Sequence, residues 1–162
     1  GGAMFQIGDR IVHPLHGAGV IEAIVERTID GVSAQYYALR PLLGDTQLFI
    51  PVDSCEKLGV RPVCSRAKAE EFFRALGSLA RSENKGWNQR YRENMLHIRS
   101  GNLLEVAQVI KDLTARDKER GLSTGEKKML TSARQILASE LSVALGQPLA
   151  DVMSRIDEQL NV

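Results

Sequence analysis

The chain has 162 residues, of which 43% are hydrophobic and 25% are charged, and its net charge is +1. This composition is that of an ordinary folded protein and excludes a disordered tail. No stretch approaches the roughly 20 apolar residues that a membrane span requires, which excludes a membrane protein. We expect one or two small domains with a divided core.

The chain carries no pattern that predicts export. Residues 1–3, two glycines and an alanine, precede Met4 and are interpreted as an expression scar. From Met4 onwards the sequence lacks the basic and then apolar pattern of a signal peptide. Cys55 and Cys64 are too few for a disulfide framework and are not spaced as CxxC, which is typical of a reducing compartment. We therefore expect a cytoplasmic protein.

The small net charge hides an uneven distribution along the chain. Residues 1–64 hold five basic and seven acidic side chains, residues 65–134 hold fifteen and nine, and residues 135–162 hold one and four. The middle of the chain is therefore the basic part and is a candidate for contact with an acidic polymer such as DNA. Acidic side chains dilute this charge, so a solvated helical surface is the alternative interpretation.

The first part of the chain has the pattern of short strands. Residues 5–63 alternate short apolar runs, rich in β-branched residues, with glycine-containing breaks. Residues 13–17 interrupt the first run, Asp30-Gly31 is a strong hairpin signal, and residues 43–45 form another turn. About five strands in some sixty residues bury a face by curling into a small barrel.

After Cys64 the apolar period becomes that of helices. Ser65 is a predicted N-cap, Asn102 begins another helix, and Ser123 with Glu126 forms a predicted capping box. Predicted helices cover about 65–76, 88–100, 102–120, 123–145 and 148–160, with a loop at 81–87. The predicted fold class is α+β, with an all-β domain at residues 4–63 and an all-α bundle at residues 64–162.

No set of residues in the sequence predicts catalysis, a metal site or a cofactor. His13 and His16 are separated by Pro14, which forbids a helical ligand pair, and neither cysteine lies in a metal-type doublet. Residues 121–127 superficially resemble a phosphate loop, but one spacer is missing, an acid stands where Lys belongs, and no strand precedes them. His97 is interpreted as a structural histidine.

The single tryptophan, Trp87, has unusual neighbours. It lies where a loop meets a helix, and it is followed by Arg90, Tyr91 and Arg92 and preceded by Lys85. An indole flanked by cations would suit stacking on a DNA base while the cations hold phosphates. In the alternative, Trp87 packs between helices with Tyr91 or covers a domain seam. The residues alone leave both interpretations open.

Several sequence blocks together resemble those of the bacterial CarD/CdnL transcription regulators. The N-terminal block, residues 4–19, reads MFQIGDRIVHPLHGAG. Later blocks read WNQRYR at 87–92, VIKDL at 109–113, GLSTGEKKML at 121–130 and ARQIL at 133–137. These blocks recur in order across nearly the whole chain from Met4. The β part alone would also resemble the polymerase-interacting domain of the transcription-repair coupling factor.

The resemblance implies a Tudor-like N-terminal domain that docks on the first lobe of the RNA polymerase β subunit, partly by strand pairing at a sheet edge. Arg27 and Ile29 match polymerase-contacting positions. Phe49 stands at a third such position, which is arginine in some members, so a hydrophobic contact would replace an ion pair there.

The resemblance also implies that the helical domain lies on promoter DNA at the upstream edge of the melted region. The tryptophan that matches Trp87 wedges into the minor groove in the family. Gln89 stands where many relatives carry arginine, which removes one phosphate contact. The remaining basic positions of this surface are Lys85, Arg90, Arg92, Lys127, Lys128 and Arg134.

The predicted function is therefore stabilisation of the promoter open complex without ATP, metal or sequence-specific base reading. We expect a monomer, with strand exchange between two β domains as a route to a dimer. One alternative is a nucleoid-type architectural protein that binds DNA tightly without polymerase. Another is a protein–protein adaptor in which Trp87 lies in the core.

Overall fold

The computed structural model describes residues 4–82 and 85–162. The predicted expression scar at residues 1–3 lies outside the described residues, as do residues 83–84 of the predicted 81–87 loop. No helix in the described part of the chain is long and apolar enough to cross a membrane.

The first part forms one five-stranded antiparallel sheet, as the sequence predicted. Its order is β4-β3-β2-β1-β5, so β4 and β5 are the edge strands. A short 3₁₀ turn, Val52–Ser54, follows β4. The strands are β1 (Arg10–His13), β2 (Gly17–Ile29), β3 (Val32–Pro41), β4 (Leu48–Pro51) and β5 (Arg61–Pro62).

The long β2–β3 hairpin depends on its two-residue turn. Asp30 and Gly31 both have positive φ, 53° and 78°, which is the geometry of the turn that matches strand twist. The strands stay paired from Ile29 and Val32 back to Gly19 and Pro41, with one irregularity between Ile21 and Ala23. Such a bulge increases the local twist and helps the sheet to curl.

The sheet encloses its own apolar core. Tyr37 is fully buried there, and its hydroxyl accepts a hydrogen bond from the backbone N–H of Phe5 at 2.8 Å. Burial of a tyrosine is tolerated when its hydroxyl has a partner. The other core side chains come from β1 to β4, from the 3₁₀ turn, from the segment before β1 and from the segment between the 3₁₀ turn and β5: Phe5, Ile11, Ile21, Leu39, Ile50, Val52, Cys55 and Val60.

Five helices follow in the described part of the chain, and their predicted caps are confirmed. Ser65, Asn102 and Ser123 each accept a hydrogen bond from a backbone N–H in the first turn, and Ser123 and Glu126 form the full capping box. Gly146, with φ 63°, ends the fourth helix. The helices are α1 (Arg66–Leu76), α2 (Trp87–Arg99), α3 (Leu103–Arg120), α4 (Thr124–Leu145) and α5 (Leu149–Leu160).

Helix α4 is the centre of the helical part. It contacts α1, α2, α3 and α5, and also strands β1 and β2. Val12 and Ala18 from these strands belong to the same apolar core as the helices. The two parts therefore share a core at their boundary. The predicted division into two domains, 4–63 and 64–162, stays a prediction.

Buried polar contacts reinforce that boundary. Glu140 on α4 is fully buried, and its carboxylate accepts hydrogen bonds from Arg61 Nη1 at 2.6 Å, Arg61 Nη2 at 2.5 Å and the Cys64 N–H at 2.9 Å. The neighbouring Ser139 hydroxyl accepts from the Ala18 N–H at 2.9 Å. A bidentate ion pair fixes direction as well as distance. We call this set of contacts the joint.

Gly17 brings the sheet and α4 together at the joint. Its φ is 80°, and a Cβ placed on it would lie 2.6 Å from the Ser139 hydroxyl oxygen. Glycine is therefore required by the backbone conformation and by the lack of space.

We predict that Glu140→Gln lowers the free energy of unfolding by about 2–4 kcal/mol, because it removes the charge that compensates the half-buried Arg61. Urea denaturation measures this loss. The matched control is Glu22→Gln, which breaks the exposed pair with Arg40 and should leave stability nearly unchanged. Equal losses in the two variants would contradict a structural role for the joint.

Candidate functional site

Trp87 is the first residue of α2 and is 48% exposed. Its indole stacks on the Tyr91 ring one helical turn further on, with 5.2 Å between centroids and an interplanar angle of 20°. The alternative that placed Trp87 in the core is therefore wrong. Tyr91 supports one face of the indole and limits its rotamers, while the rest of the indole stays accessible to solvent.

Tyr91 connects this stack to the start of α4. A Cβ placed on Gly125 would lie 3.5 Å from the Tyr91 ring, so the first turn of α4 passes close to it. A groove of about 200 Å³ runs past Tyr91, and Lys128, Arg99 and Leu15 also line it. The structure thus brings Trp87, Tyr91 and the cation Lys128 to one region.

The predicted cations differ in how free they are to contact a ligand. Arg92, Lys127 and Lys128 are exposed. Lys85 donates a hydrogen bond to Glu93 at 2.7 Å on the protein surface. Arg134 pairs with Asp157 on α5 at 2.8 Å and so lies against that helix.

Arg90 is mostly inside the protein, with a side-chain exposure of 14%. Its Nε donates to Glu126 at 3.1 Å and its Nη1 donates to the Lys85 carbonyl at 3.0 Å. The pair connects α2 to the capping box of α4. Arg90 therefore holds the helix that carries Trp87, and a direct contact with DNA stays a prediction.

Glu126 is a buried acid whose pKa is lowered rather than raised. Burial acts to raise the pKa of its carboxyl, but the hydrogen bond and charge of Arg90, together with the Ser123 cap, outweigh burial and lower that pKa below its usual value. The carboxylate is thus stabilised in the folded state. Its contribution to stability is present at neutral pH and is lost as the pH falls through its folded-state pKa.

Arg99 is a basic residue of α2 that the sequence analysis did not include among the predicted DNA-contacting cations. It lies seven residues after Arg92 on α2, and two helical turns place both on one face. Both side chains are exposed. The spacing of seven was the signal that could have identified Arg99.

A second exposed surface lies on the outer face of the sheet. The register of β2 with β3 and of β3 with β4 places Arg27, Ile29 and Phe49 on the same face. The Arg27 guanidinium lies 3.9 Å from the centroid of the Phe49 ring, a cation–π contact. Ile29 is 52% exposed and Val32, its partner at the hairpin end, is 67% exposed. The three predicted polymerase contacts thus form one patch, which we call the sheet patch.

The two histidines near the first turn, His13 and His16, lie side by side. Their rings lie 4.7 Å apart, and burial, helped by the neighbouring His16, lowers the pKa of His13 to about 4. Within residues 4–82 and 85–162, no three side chains of His, Cys, Asp or Glu are grouped as metal ligands. His97 lies half-buried, 3.6 Å from Glu105.

Two family models match the chain, and together they cover most of it. Residues 5–64 match the CarD-like/TRCF RID domain, which is a domain associated with RNA polymerase interaction and Tudor-like in fold. Residues 71–157 match the CarD C-terminal domain. The first match contains the sheet patch, and the second contains Trp87 and all the predicted DNA-contacting cations from Arg90 to Arg134.

A relative from Bacillus subtilis (strain 168) supports the same assignment over most of the chain. It carries the name "Putative transcription factor YdeB" and is 38% identical over 143 residues, which is 88% of this chain and 94% of the relative. The sheet, the helical part and these matches together show that the chain belongs to the CarD family of transcription factors.

Proposed function

We propose that this protein binds the first lobe of the RNA polymerase β subunit through the sheet patch and stabilises the promoter open complex through Trp87. One observation carries the proposal. A half-exposed indole, supported by Tyr91, lies on a helical part that a buried joint holds against the sheet. The contact with DNA is made without reading a specific sequence.

The sheet patch has the composition of a small protein-binding surface. Ile29, Val32 and Phe49 expose apolar area, and Arg27 adds a charged group that already rests on an aromatic ring. Arginine and aromatic residues are enriched at interfaces because they combine apolar area with directed polar contacts. The adjacent β4 is a sheet edge with unpaired backbone groups, which a strand of the polymerase would pair with.

Trp87 is suited to a distorted minor groove at the upstream edge of the melted DNA. Apolar wedges between base steps are stabilised where the bases are already unstacked. Stacking of a base on an aromatic side chain contributes roughly 1–3 kcal/mol, and at about 1.4 kcal/mol per tenfold this shifts the opening equilibrium about five- to a hundredfold. Only the open complex offers unstacked bases, so stacking by Trp87 favours the open complex over the closed complex.

The exposed cations Arg92, Lys127 and Lys128 supply the phosphate contacts in this proposal, together with Lys85. The excess of positive charge over residues 65–134 is only six, so the free chain should bind DNA weakly at cellular salt. Docking on polymerase beside the promoter raises the effective concentration of the helical part to about the millimolar range. Weak contacts then suffice.

Arg90 has a positioning role in this proposal. Its bonds to Glu126 and to the Lys85 carbonyl fix the start of α2, where Trp87 is located. Arg134, which pairs with Asp157, contributes to the same positive surface from further along α4.

We expect Trp87→Ala to shorten the lifetime of the open complex by about five- to a hundredfold, because the stacking contact is lost. The lifetime is measured by competitor challenge of polymerase–promoter complexes at saturating protein. The matched control is Leu96→Ala, another exposed large apolar residue of α2, nine positions on and therefore on the opposite face. An unchanged lifetime with Trp87→Ala, or an equal loss with Leu96→Ala, would remove the wedge role.

We expect Arg27→Glu to weaken binding to the isolated β-subunit lobe at least tenfold. The melting temperature should change little, because the substitution removes only an exposed cation–π contact within the chain. Binding is measured by calorimetry or by pull-down. The control is Lys57→Glu, which makes the same charge change at an exposed position outside the sheet patch. If Arg27→Glu unfolds the chain, Arg27 is structural and the sheet patch is not the docking surface.

A gel-shift experiment at physiological salt distinguishes this function from that of a stand-alone architectural protein. The proposal requires weak binding of promoter-length DNA by the free chain. Tight binding without polymerase would favour the nucleoid-type alternative.

A further inference from the structure

The turn between β1 and β2 carries a sequence motif that the proposed function does not use. Residues 13–17 read HPLHG, and only Gly17 is explained so far, by the close approach of α4. Leu15, in the middle of the turn, is 57% exposed. Its backbone N–H donates a hydrogen bond to His13 Nδ1 at 3.0 Å, which helps to order the turn. Burial lowers the pKa of His13 to about 4, so at neutral pH the ring is uncharged and keeps this acceptor.

Leu15 lies beside the groove of about 200 Å³ that runs past Tyr91. The groove has three walls, formed by the β1–β2 turn, by α2 and by α4. Most of its lining is apolar and comes from all three walls: Pro14, Leu15, Met95, Ile98, Met129 and Ile136. Because Tyr91 also stacks on the indole, the groove continues from Trp87 towards the sheet part.

The charge of this groove is of one sign. Among the described residues that line it, Arg99 and Lys128 are cations and none is a carboxylate. Both cations are exposed, and within residues 4–82 and 85–162 neither forms a hydrogen bond or an ion pair. Lys85 and Arg90, nearer to the indole, are instead paired with glutamates. Two cations that no acid neutralises favour an anionic partner.

We propose that this groove holds the backbone of the double-stranded DNA that adjoins the Trp87 wedge, with Arg99 and Lys128 on its phosphates and Leu15 against its sugars. The inference rests on the proposed function, because it extends the same DNA contact. A DNA backbone alternates anionic phosphates with sugars, which present carbon atoms to a protein surface. A mainly apolar groove with two unpaired cations matches that alternation. The sheet part thus contacts DNA through its β1–β2 turn, besides binding polymerase through the sheet patch.

The length of α2 sets the span of this contact. Arg99 lies twelve residues after Trp87 on α2, which is about 18 Å at about 1.5 Å per residue. At about 3.4 Å per base pair, this distance corresponds to about five base pairs. An acidic protein segment would also satisfy the two cations. Continuity with the indole favours DNA, because a duplex already held at Trp87 reaches the groove as part of the same binding event.

The first test is photo-cross-linking in the complex of the full chain with polymerase and promoter DNA. A benzophenone side chain replaces Leu15 in one chain and Asn88, the exposed neighbour of Trp87, in another. Both chains should cross-link to DNA, at positions about five base pairs apart. The control carries the same group in place of Ser154, an exposed residue of α5, and should give no DNA cross-link.

The outcomes separate this inference from the proposed function. A DNA cross-link from position 88 without one from position 15 overturns the inference and leaves the proposed function intact. The absence of both overturns the proposed function and this inference with it. A cross-link from position 15 to a polymerase subunit instead of DNA also overturns the inference, because it assigns the groove to a protein.

The second test is the salt dependence of DNA binding by the free chain, measured at low salt by fluorescence anisotropy with a labelled duplex. Arg99→Gln should reduce the slope of log K against log salt concentration by about 0.9, which corresponds to one phosphate contact. The matched control is Arg74→Gln, which removes an exposed cation from the last turn of α1 and should keep the slope.

The same pair of variants tests whether Arg99 only stabilises its helix. A cation in the last turn is favourable to the helix dipole, and both arginines have that position. The two substitutions should therefore lower the melting temperature by a similar, small amount. An unchanged slope in Arg99→Gln, with this thermal effect alone, would overturn the phosphate contact.

Discussion

The carboxylate of Glu140 is the constraint on which the rest of this molecule depends. It is fully buried on α4, and it binds the guanidinium of Arg61 on β5 and the backbone N–H of Cys64, which lies between β5 and α1. A buried charge without its partners would be costly, so the sheet and α4 stay in one arrangement. The hydrogen bond from Ala18 to Ser139 and the close approach of Gly17 add to this constraint.

The proposed function uses that rigidity. The sheet patch and the indole lie on different parts of the chain. If the joint fixes their separation, the free energy of polymerase docking also positions Trp87, and little orientation entropy is lost when DNA is contacted. The ion pair of Arg90 with Glu126 serves the same end within the helical part, because it holds the first turn of α2 against α4.

Local chemistry explains why so much of the fold could be predicted from the sequence. The hairpin at Asp30 and the caps at Ser65 and Ser123 depend on neighbouring residues, so their signals are present in short windows. The joint depends on Arg61 and Glu140, which are 79 residues apart, and no local pattern links them. For the same reason, the sequence suggested that Arg90 was a free surface cation, whereas Glu126, 36 residues away, takes it into the protein. The sequence also left the exposure of Trp87 undecided, because that exposure depends on where Tyr91 and α4 lie and not on the residues that flank Trp87.

The rigidity of the joint is tested most directly by double electron–electron resonance, which measures the distance between two spin labels attached at the positions of Lys57 and Lys118. Both positions are exposed, one beside the sheet and one on α3. The measurement uses a chain in which Cys55 and Cys64 are replaced by alanine. We expect one narrow distance distribution that is the same for the free chain and for the chain bound to polymerase. A broad distribution, or a distance that changes on binding, would contradict a rigid connection between the sheet patch and the helical part that carries Trp87.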